Sequence, residues 1–77
     1  MICEYARLRG LYPEKLGSVL LQDKKTLKQK RKNLYYVLDG ETICAEKLIR
    51  KNGEEYLTFV RIPKETWNQK TFSLVEY

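Results

Sequence analysis

The sequence predicts a small, mainly β protein built around an antiparallel meander. Two dipeptides, Asp39-Gly40 and Asn52-Gly53, are preferred in two-residue hairpin turns. Each lies between short runs rich in β-branched and aromatic residues, which is the pattern of a strand, a tight turn and a second strand. A chain of 77 residues has room for one hydrophobic core, so we expect a single domain over residues 1–77.

The two turns also predict how the strands pair. If residues 39–40 form the first turn, Tyr36 lies opposite Ile43, and the second turn places Ala45 opposite Val60. One face of the meander is then mainly apolar. It carries Leu34, Tyr36, Leu38, Ile43, Ala45, Ile49, Tyr56, Val60 and Ile62. The other face is mixed, and we expect either the N-terminal segment or a partner to cover it. It carries Tyr35, Val37, Cys44, Glu46, Leu48, Arg50, Leu57, Phe59 and Arg61.

Four further segments flank the meander. Residues 2–9 are expected to form a strand, and residues 71–77 a last strand. Residues 63–68 begin with proline, which ends the ladder because it has no N–H, and a short helical turn is expected there. Residues 13–32 fit either a helix, from the spacing of Leu16, Leu20 and Leu27, or a short strand around residues 18–21, and both alternatives stay open.

In chain order these elements fit a small five-stranded barrel like that of the Src-homology domains, in which one helical turn joins the last two strands. Closing the barrel would protect the edges of the meander. The alternative is an open α+β sheet with a helix near residues 13–22 across one face. Both alternatives keep the three-stranded meander at the centre of the domain.

The positive charge of the chain is concentrated in one segment. The 15 lysines and arginines exceed the 10 acidic residues by five, and residues 23–33 alone carry six cations and one acid, which is also +5. We expect this segment to be a basic loop or a helix end. Such a cluster gains free energy at an anionic surface, most commonly nucleic acid, either DNA or RNA. The residues predicted to contact phosphates are Lys24, Lys25, Lys28, Lys30, Arg31 and Lys32.

Three residues of the mixed face complete the predicted nucleic-acid interface. Tyr35, Phe59 and Arg61 share this face and would contact bases or sugars. In the alternative, the chain is an inhibitor or adaptor, of viral or mobile-element type, that binds a larger acidic protein. Its mixed face would then be a hydrophobic patch for that protein or for a second copy in a homodimer. A solvated basic loop without a partner is the third interpretation.

Residue content argues against several other classes of function. The chain has no histidine, no paired carboxylates and no phosphate-binding glycine loop, so we expect no enzymatic activity, no metal and no cofactor. Cys3 and Cys44 are expected to be buried, reduced thiols. No apolar run is long enough to span a membrane, and the charged start lacks the apolar stretch of a signal peptide. A cytoplasmic location without a membrane partner is therefore expected.

Overall fold

The computed structural model describes residues 2–77 and shows a mainly β chain with one short α-helix. The elements are α1 (Ile2–Arg9), β1 (Glu14–Gln22), β2 (Gln29–Asp39), β3 (Thr42–Lys51), β4 (Glu54–Pro63), a 3₁₀ turn (Lys64–Thr66) and β5 (Val75–Glu76). Strands β1 to β4 form an antiparallel meander in that order, and β5 pairs with β3 in parallel. Within the described chain no ladder closes this sheet, so the predicted meander is confirmed and the barrel is not.

The β3–β4 hairpin has the predicted turn and register. Its central residues Asn52 and Gly53 have φ angles of 53° and 76°, the left-handed conformation that a type I′ turn requires at both positions. Ala45 lies opposite Val60, as predicted. The ladder continues along the whole of both strands, from the turn to the pair formed by Thr42 and Pro63.

The turn of the β2–β3 hairpin lies one residue later than predicted. Gly40 occupies its first central position with a φ angle of 64°, as a type II′ turn requires. The predicted pairing of Tyr36 with Ile43 is therefore wrong, because Tyr36 lies opposite Ala45. Since the pairing moves by two residues, the paired side chains of residues 36–39 and 42–45 stay on their predicted faces of the sheet.

The N-terminal segment forms the helix α1, so the predicted strand over residues 2–9 is wrong. Ile2, Tyr5 and Ala6 recur at spacings of three and four residues, which places them on one side of a helix. Ile2 and Ala6 are buried against Val37 and Cys44 of the mixed face. The predicted intramolecular cover of this face is thus present, but a helix provides it. Among residues 2–77, no helix is long and apolar enough to cross a membrane.

Local hydrogen bonds end α1 and fix the chain direction after it. Gly10 has a φ angle of 68°, and its N–H donates to the carbonyl of Arg7 at 3.3 Å. The N–H of Leu11 donates to the carbonyl of Ala6 at 2.7 Å. These two bonds form a Schellman motif, and Leu11 packs on the core as such motifs require.

Asp39 fastens α1 to the end of β2. Its carboxylate accepts a hydrogen bond from the hydroxyl of Tyr5 and forms an ion pair with Arg9, with 3.2 Å between nitrogen and oxygen. The hydrogen bond to Asp39 raises the pKa of the Tyr5 hydroxyl. Asp39, which the sequence predicts in the first hairpin turn, is thus the last residue of β2, and its carboxylate is bound to the helix.

β3 is the central strand, and side chains on both of its faces are buried. One edge of β3 pairs with β4, while the other pairs first with β2, over residues 42–45, and then with β5 at Leu48 and Ile49. Glu46 lies between these two partners with an exposed fraction of 2%. Its Oε1 accepts a hydrogen bond from the N–H of Tyr35 at 2.8 Å. The carboxylate thus replaces a backbone acceptor where β2 leaves β3.

Within residues 13–32 the structure has β1 and the start of β2, so the alternative of a helix near residues 13–22 is wrong. β1 also contributes to a second core cluster. Val19, Leu34 and Leu48 are buried in this cluster. Around them pack Leu16, Leu21, Leu57, Leu74 and Val75. Both thiols are free; Cys44 is buried in the cluster under α1, whereas Cys3 is exposed, contrary to expectation.

The C-terminal segment packs on the predicted apolar face. The short helical turn expected over residues 63–68 is confirmed as the 3₁₀ turn. Trp67 follows it, with its ring centroid 5.2 Å from that of Tyr36 and 5.1 Å from that of Phe72. The Nζ atom of Lys47 lies 5.1 Å from the Phe72 centroid. The predicted last strand is much shorter than residues 71–77, because only β5 pairs.

Candidate functional site

The basic segment forms the far end of the β1–β2 hairpin, which we call the basic tip (residues 23–33). Half of it is a loop over residues 23–28, and the other half is the first part of β2 rather than a loop or helix end. Its six cations are all exposed, and in the described chain none lies within 4.0 Å of a carboxylate oxygen as an ion pair. They are Lys24, Lys25, Lys28, Lys30, Arg31 and Lys32. The excess charge is therefore not held in ion pairs within the described chain.

The loop of the basic tip is organised by Asp23. Its carboxylate Oδ1 accepts the N–H of Lys25 at 2.8 Å, and its carbonyl accepts the N–H of Leu27 at 2.8 Å. Its own N–H donates to the carbonyl of Lys28 at 3.0 Å. Leu27 has a φ angle of 58° and is 70% exposed. The only acid of the tip thus holds the loop backbone, and the lysine side chains remain in solvent.

Strand alternation spreads the cations of β2 over two faces. Lys30 and Lys32 project on one face and Arg31 on the other. Positions two apart in a strand are roughly 6.6 Å apart along the chain. The tip therefore presents positive charge along both faces of a two-stranded ribbon.

The three other predicted contact residues lie elsewhere in the sheet. Tyr35 is half-buried and packs against the core cluster under α1. Phe59, 44% exposed, lies opposite Glu46, while Arg61 is exposed and lies opposite Cys44. The register places all three on one sheet face, as predicted, but Tyr35 lies under the helix and only Phe59 and Arg61 are open to solvent.

An open groove of about 970 Å³ adjoins the basic tip. One wall comes from β1 and the tip, and the other from the β3–β4 turn and the C-terminal segment. Its polar and aromatic lining includes Lys24, Gln29, Arg50, Lys51 and Tyr77. Tyr77 is 82% exposed, and the guanidinium carbon of Arg50 lies 5.9 Å from its ring centroid. The groove therefore places an accessible aromatic ring among three cations and the two carboxylates of Glu54 and Glu55.

An ion pair on the β3–β4 wall of the groove is hydrogen-bonded to β1 on the other wall. Nε of Arg50 lies 2.6 Å from Oε2 of Glu55, and the Arg50 guanidinium also donates to the carbonyl of Leu20 at 2.9 Å. Oε1 of Glu55 accepts the N–H of Gln22 at 3.4 Å. The hydrogen bond from Arg50, helped by that from Gln22, lowers the pKa of Glu55, and Glu55 raises the pKa of Arg50. The side chains of Arg50 and Glu55 thus link β3 and β4 to the backbone of β1, with which neither strand forms a ladder.

Sequence reasoning did not single out Lys51, Arg50 or Tyr77 as binding residues, and it placed Arg50 on the mixed face opposite Glu55. They are far in sequence from the basic tip, and no local pattern connects them with it. They come together because β5 returns to the edge of β3 beside the β3–β4 turn. Only the strand order of the folded chain could have identified them.

Across residues 2–77, no group of three or more histidine, cysteine, aspartate or glutamate side chains is arranged to hold a metal ion. No protein-family model matches the chain, and no curated protein or solved structure matches it. Its function is therefore inferred from its own residues.

Proposed function

We propose that this protein binds nucleic acid through the basic tip. The observation that carries this proposal is the exposure of six cations that form no ion pair within the described chain. They account for the whole net charge of +5, since the single acid of the tip offsets one of them. Binding to phosphates would release the counterions condensed on the nucleic acid, which favours association entropically.

The fold also lowers the free-energy cost of this binding. Within residues 2–77 the tip has no ion pair that must break before its cations meet phosphates, and the loop backbone is already hydrogen-bonded around Asp23. A preformed loop loses less conformational entropy on binding than a disordered one. The tip can therefore act as a phosphate-binding ribbon without refolding.

The groove supplies a contact for a base. Tyr77 offers an exposed ring, and Lys24 and Lys51 line the same groove for the flanking phosphates. Stacking of one base on an aromatic ring contributes about 1–3 kcal/mol and needs an unpaired base. We therefore expect single-stranded nucleic acid to bind more tightly than duplex, and the Tyr77→Ala substitution to reduce this difference.

The test is a titration of labelled single-stranded DNA, single-stranded RNA and duplex DNA, followed by fluorescence anisotropy. Three to five simultaneous phosphate contacts would give slopes of log affinity against log salt between about −2 and −4.5. The tip variant changes Lys28, Lys30, Arg31 and Lys32 to glutamate. The control changes Arg7, Lys15, Lys64 and Lys70, which are exposed and outside the tip. Both variants have a net charge of 5 − 8 = −3.

The proposal requires the tip variant to lose binding while the control retains most of it, with both folded by circular dichroism. Equal losses in the two variants would show that net charge alone governs binding. If the unmodified chain binds none of the three polynucleotides at low salt, the nucleic-acid proposal fails. An acidic protein partner then becomes the leading interpretation, because it would use the same cations.

A further inference from the structure

The outer edge of β4 has no partner in the described chain, because β4 is the last strand of the meander and pairs with β3 alone. The type I′ turn makes Lys51 and Glu54 a hydrogen-bonded pair, so the even-numbered residues of β4 direct their backbone groups toward β3. The same alternation holds beyond the end of β4, because the N–H of even-numbered Lys64 also points inward and donates to the carbonyl of Glu41 at 2.9 Å. The odd-numbered residues therefore direct their N–H and C=O groups outward. They are Glu55, Leu57, Phe59 and Arg61.

This edge lacks the usual protection against pairing with another strand. Edge strands are commonly short or interrupted by proline or lysine. β4 has ten residues, with proline only at its last position, no lysine, and its three charged residues confined to positions 54, 55 and 61, away from the centre. Phe59 is 44% exposed and Tyr56 is 54% exposed in its middle. A long, regular edge with exposed aromatic rings favours addition of a further strand.

We propose that β4 pairs antiparallel with β4 of a second copy of this chain, about a twofold axis at Thr58. Two β4 strands can form backbone hydrogen bonds only if the outward-directed, odd-numbered residues of one copy face odd-numbered residues of the other. This requirement leaves few registers that also obey twofold symmetry. With the axis at Thr58, Glu55 lies opposite the partner's Arg61, and Leu57 lies opposite the partner's Phe59. Each end of the interface then brings Arg61 of one copy beside Glu55 of the other, whose carboxylate also pairs with Arg50 of its own chain, and the centre joins apolar side chains.

The neighbouring registers lack this complementarity. With the axis at Phe59, Leu57 would lie opposite the partner's Arg61. With the axis at Leu57, Glu55 would lie opposite the partner's Phe59. Each alternative leaves Arg61 without an oppositely charged residue facing it across the interface, while Glu55 keeps its ion pair with Arg50 of the same chain. The charge pattern of β4 therefore selects Thr58 as the centre of one continuous sheet through both copies.

This interface does not use the basic tip, which lies in the loop over residues 23–28 and the first part of β2, although Glu55 also lines the groove. It assigns Phe59 and Arg61 to the second copy rather than to bases. Each outward residue would exchange two backbone hydrogen bonds with the residue facing it. The dimer would therefore form without any change in the fold of either chain.

Sedimentation equilibrium tests the dimer. The unmodified chain should have twice the 9.2 kDa of one copy. The Arg61→Glu substitution places like charges opposite each other at both ends and should raise the dissociation constant on the order of tenfold or more. Arg31→Glu is the matched control, because it makes the same change of charge in the basic tip and should leave the dissociation constant unchanged. A monomeric mass at all concentrations would overturn the proposal.

Disulfide formation tests the register in a Cys3→Ser background, since Cys3 is exposed. Thr58 would face its own counterpart in a non-hydrogen-bonded pair, where Cα atoms lie about 4.5 Å apart, within disulfide range. Thr58→Cys should therefore form a covalent dimer on mild oxidation. Val60→Cys is the control, because Val60 is likewise half-buried on that face but would face Tyr56. Equal crosslinking of both variants would overturn the register.

Discussion

Replacement of Glu46 should weaken the sheet where β2 leaves β3. The carboxylate is 2% exposed and accepts the N–H of half-buried Tyr35 at 2.8 Å. Glu46→Ala removes this acceptor, and a buried donor without a partner costs about 1–3 kcal/mol. Glu46→Gln keeps an oxygen of similar reach, so only the charge assistance is lost, about 1 kcal/mol. The core of so short a chain contributes roughly 3–5 kcal/mol, so the alanine variant should approach unfolding.

Equilibrium unfolding in urea and hydrogen exchange at the Tyr35 amide measure these effects. The midpoint should fall slightly for Glu46→Gln and much further for Glu46→Ala, and Tyr35 should exchange fastest in the alanine variant. Glu41→Ala, an exposed substitution in the β2–β3 turn, is the control and should leave the midpoint unchanged. The reasoning is refuted if Glu46→Ala is as stable as the unmodified chain, or if both Glu46 variants lose equal stability.

Three further predictions concern turn geometry, the core and pH. Gly53→Val should cost about 1–3 kcal/mol, because Gly53 has a φ angle of 76° that a β-branched residue resists; an unchanged melting temperature would contradict this. Leu48→Ala, at a fully buried position, should cost about 2–5 kcal/mol in urea unfolding, whereas Leu38→Ala, at a position 41% exposed, should cost clearly less. Arg50 lowers the pKa of Glu55, so the stability that their pair contributes is present above the ordinary carboxyl pKa of about 4.5 and is lost as pH falls through the lower folded value. Glu55→Gln should flatten the acid limb of stability against pH, and identical pH profiles would contradict the assignment.

The β3–β4 hairpin was predictable because its determinants are adjacent in the chain. Asn52 and Gly53 tolerate positive φ at both positions, and the turn that they form sets the pairing of the strands on either side. The meander and its faces follow from this turn and from strand alternation. These features depend on local backbone sterics, which hold wherever the segment lies.

The first turn and the N-terminal helix depended on contacts between distant residues. Asp39 binds Tyr5 and Arg9 of α1, and the turn moves one residue along the chain. α1 has eight residues, too few for a stable isolated helix, so burial of Ile2 and Ala6 on the sheet stabilises it. Local sequence preference alone therefore could not distinguish this helix from a strand.

For the candidate site, the sequence by itself located the charge, since all of the net +5 lies in residues 23–33. Only the tertiary structure decided that these cations have no carboxylate partner within the described chain, because long-range folding sets which acids come near them. It also decided that the groove forms, since β5 must first return to β3 and bring Tyr77 beside Arg50. The net charge of a segment follows from its own residues. Whether its cations form ion pairs, and whether a groove lies beside them, depends on where residues far apart in the chain come together.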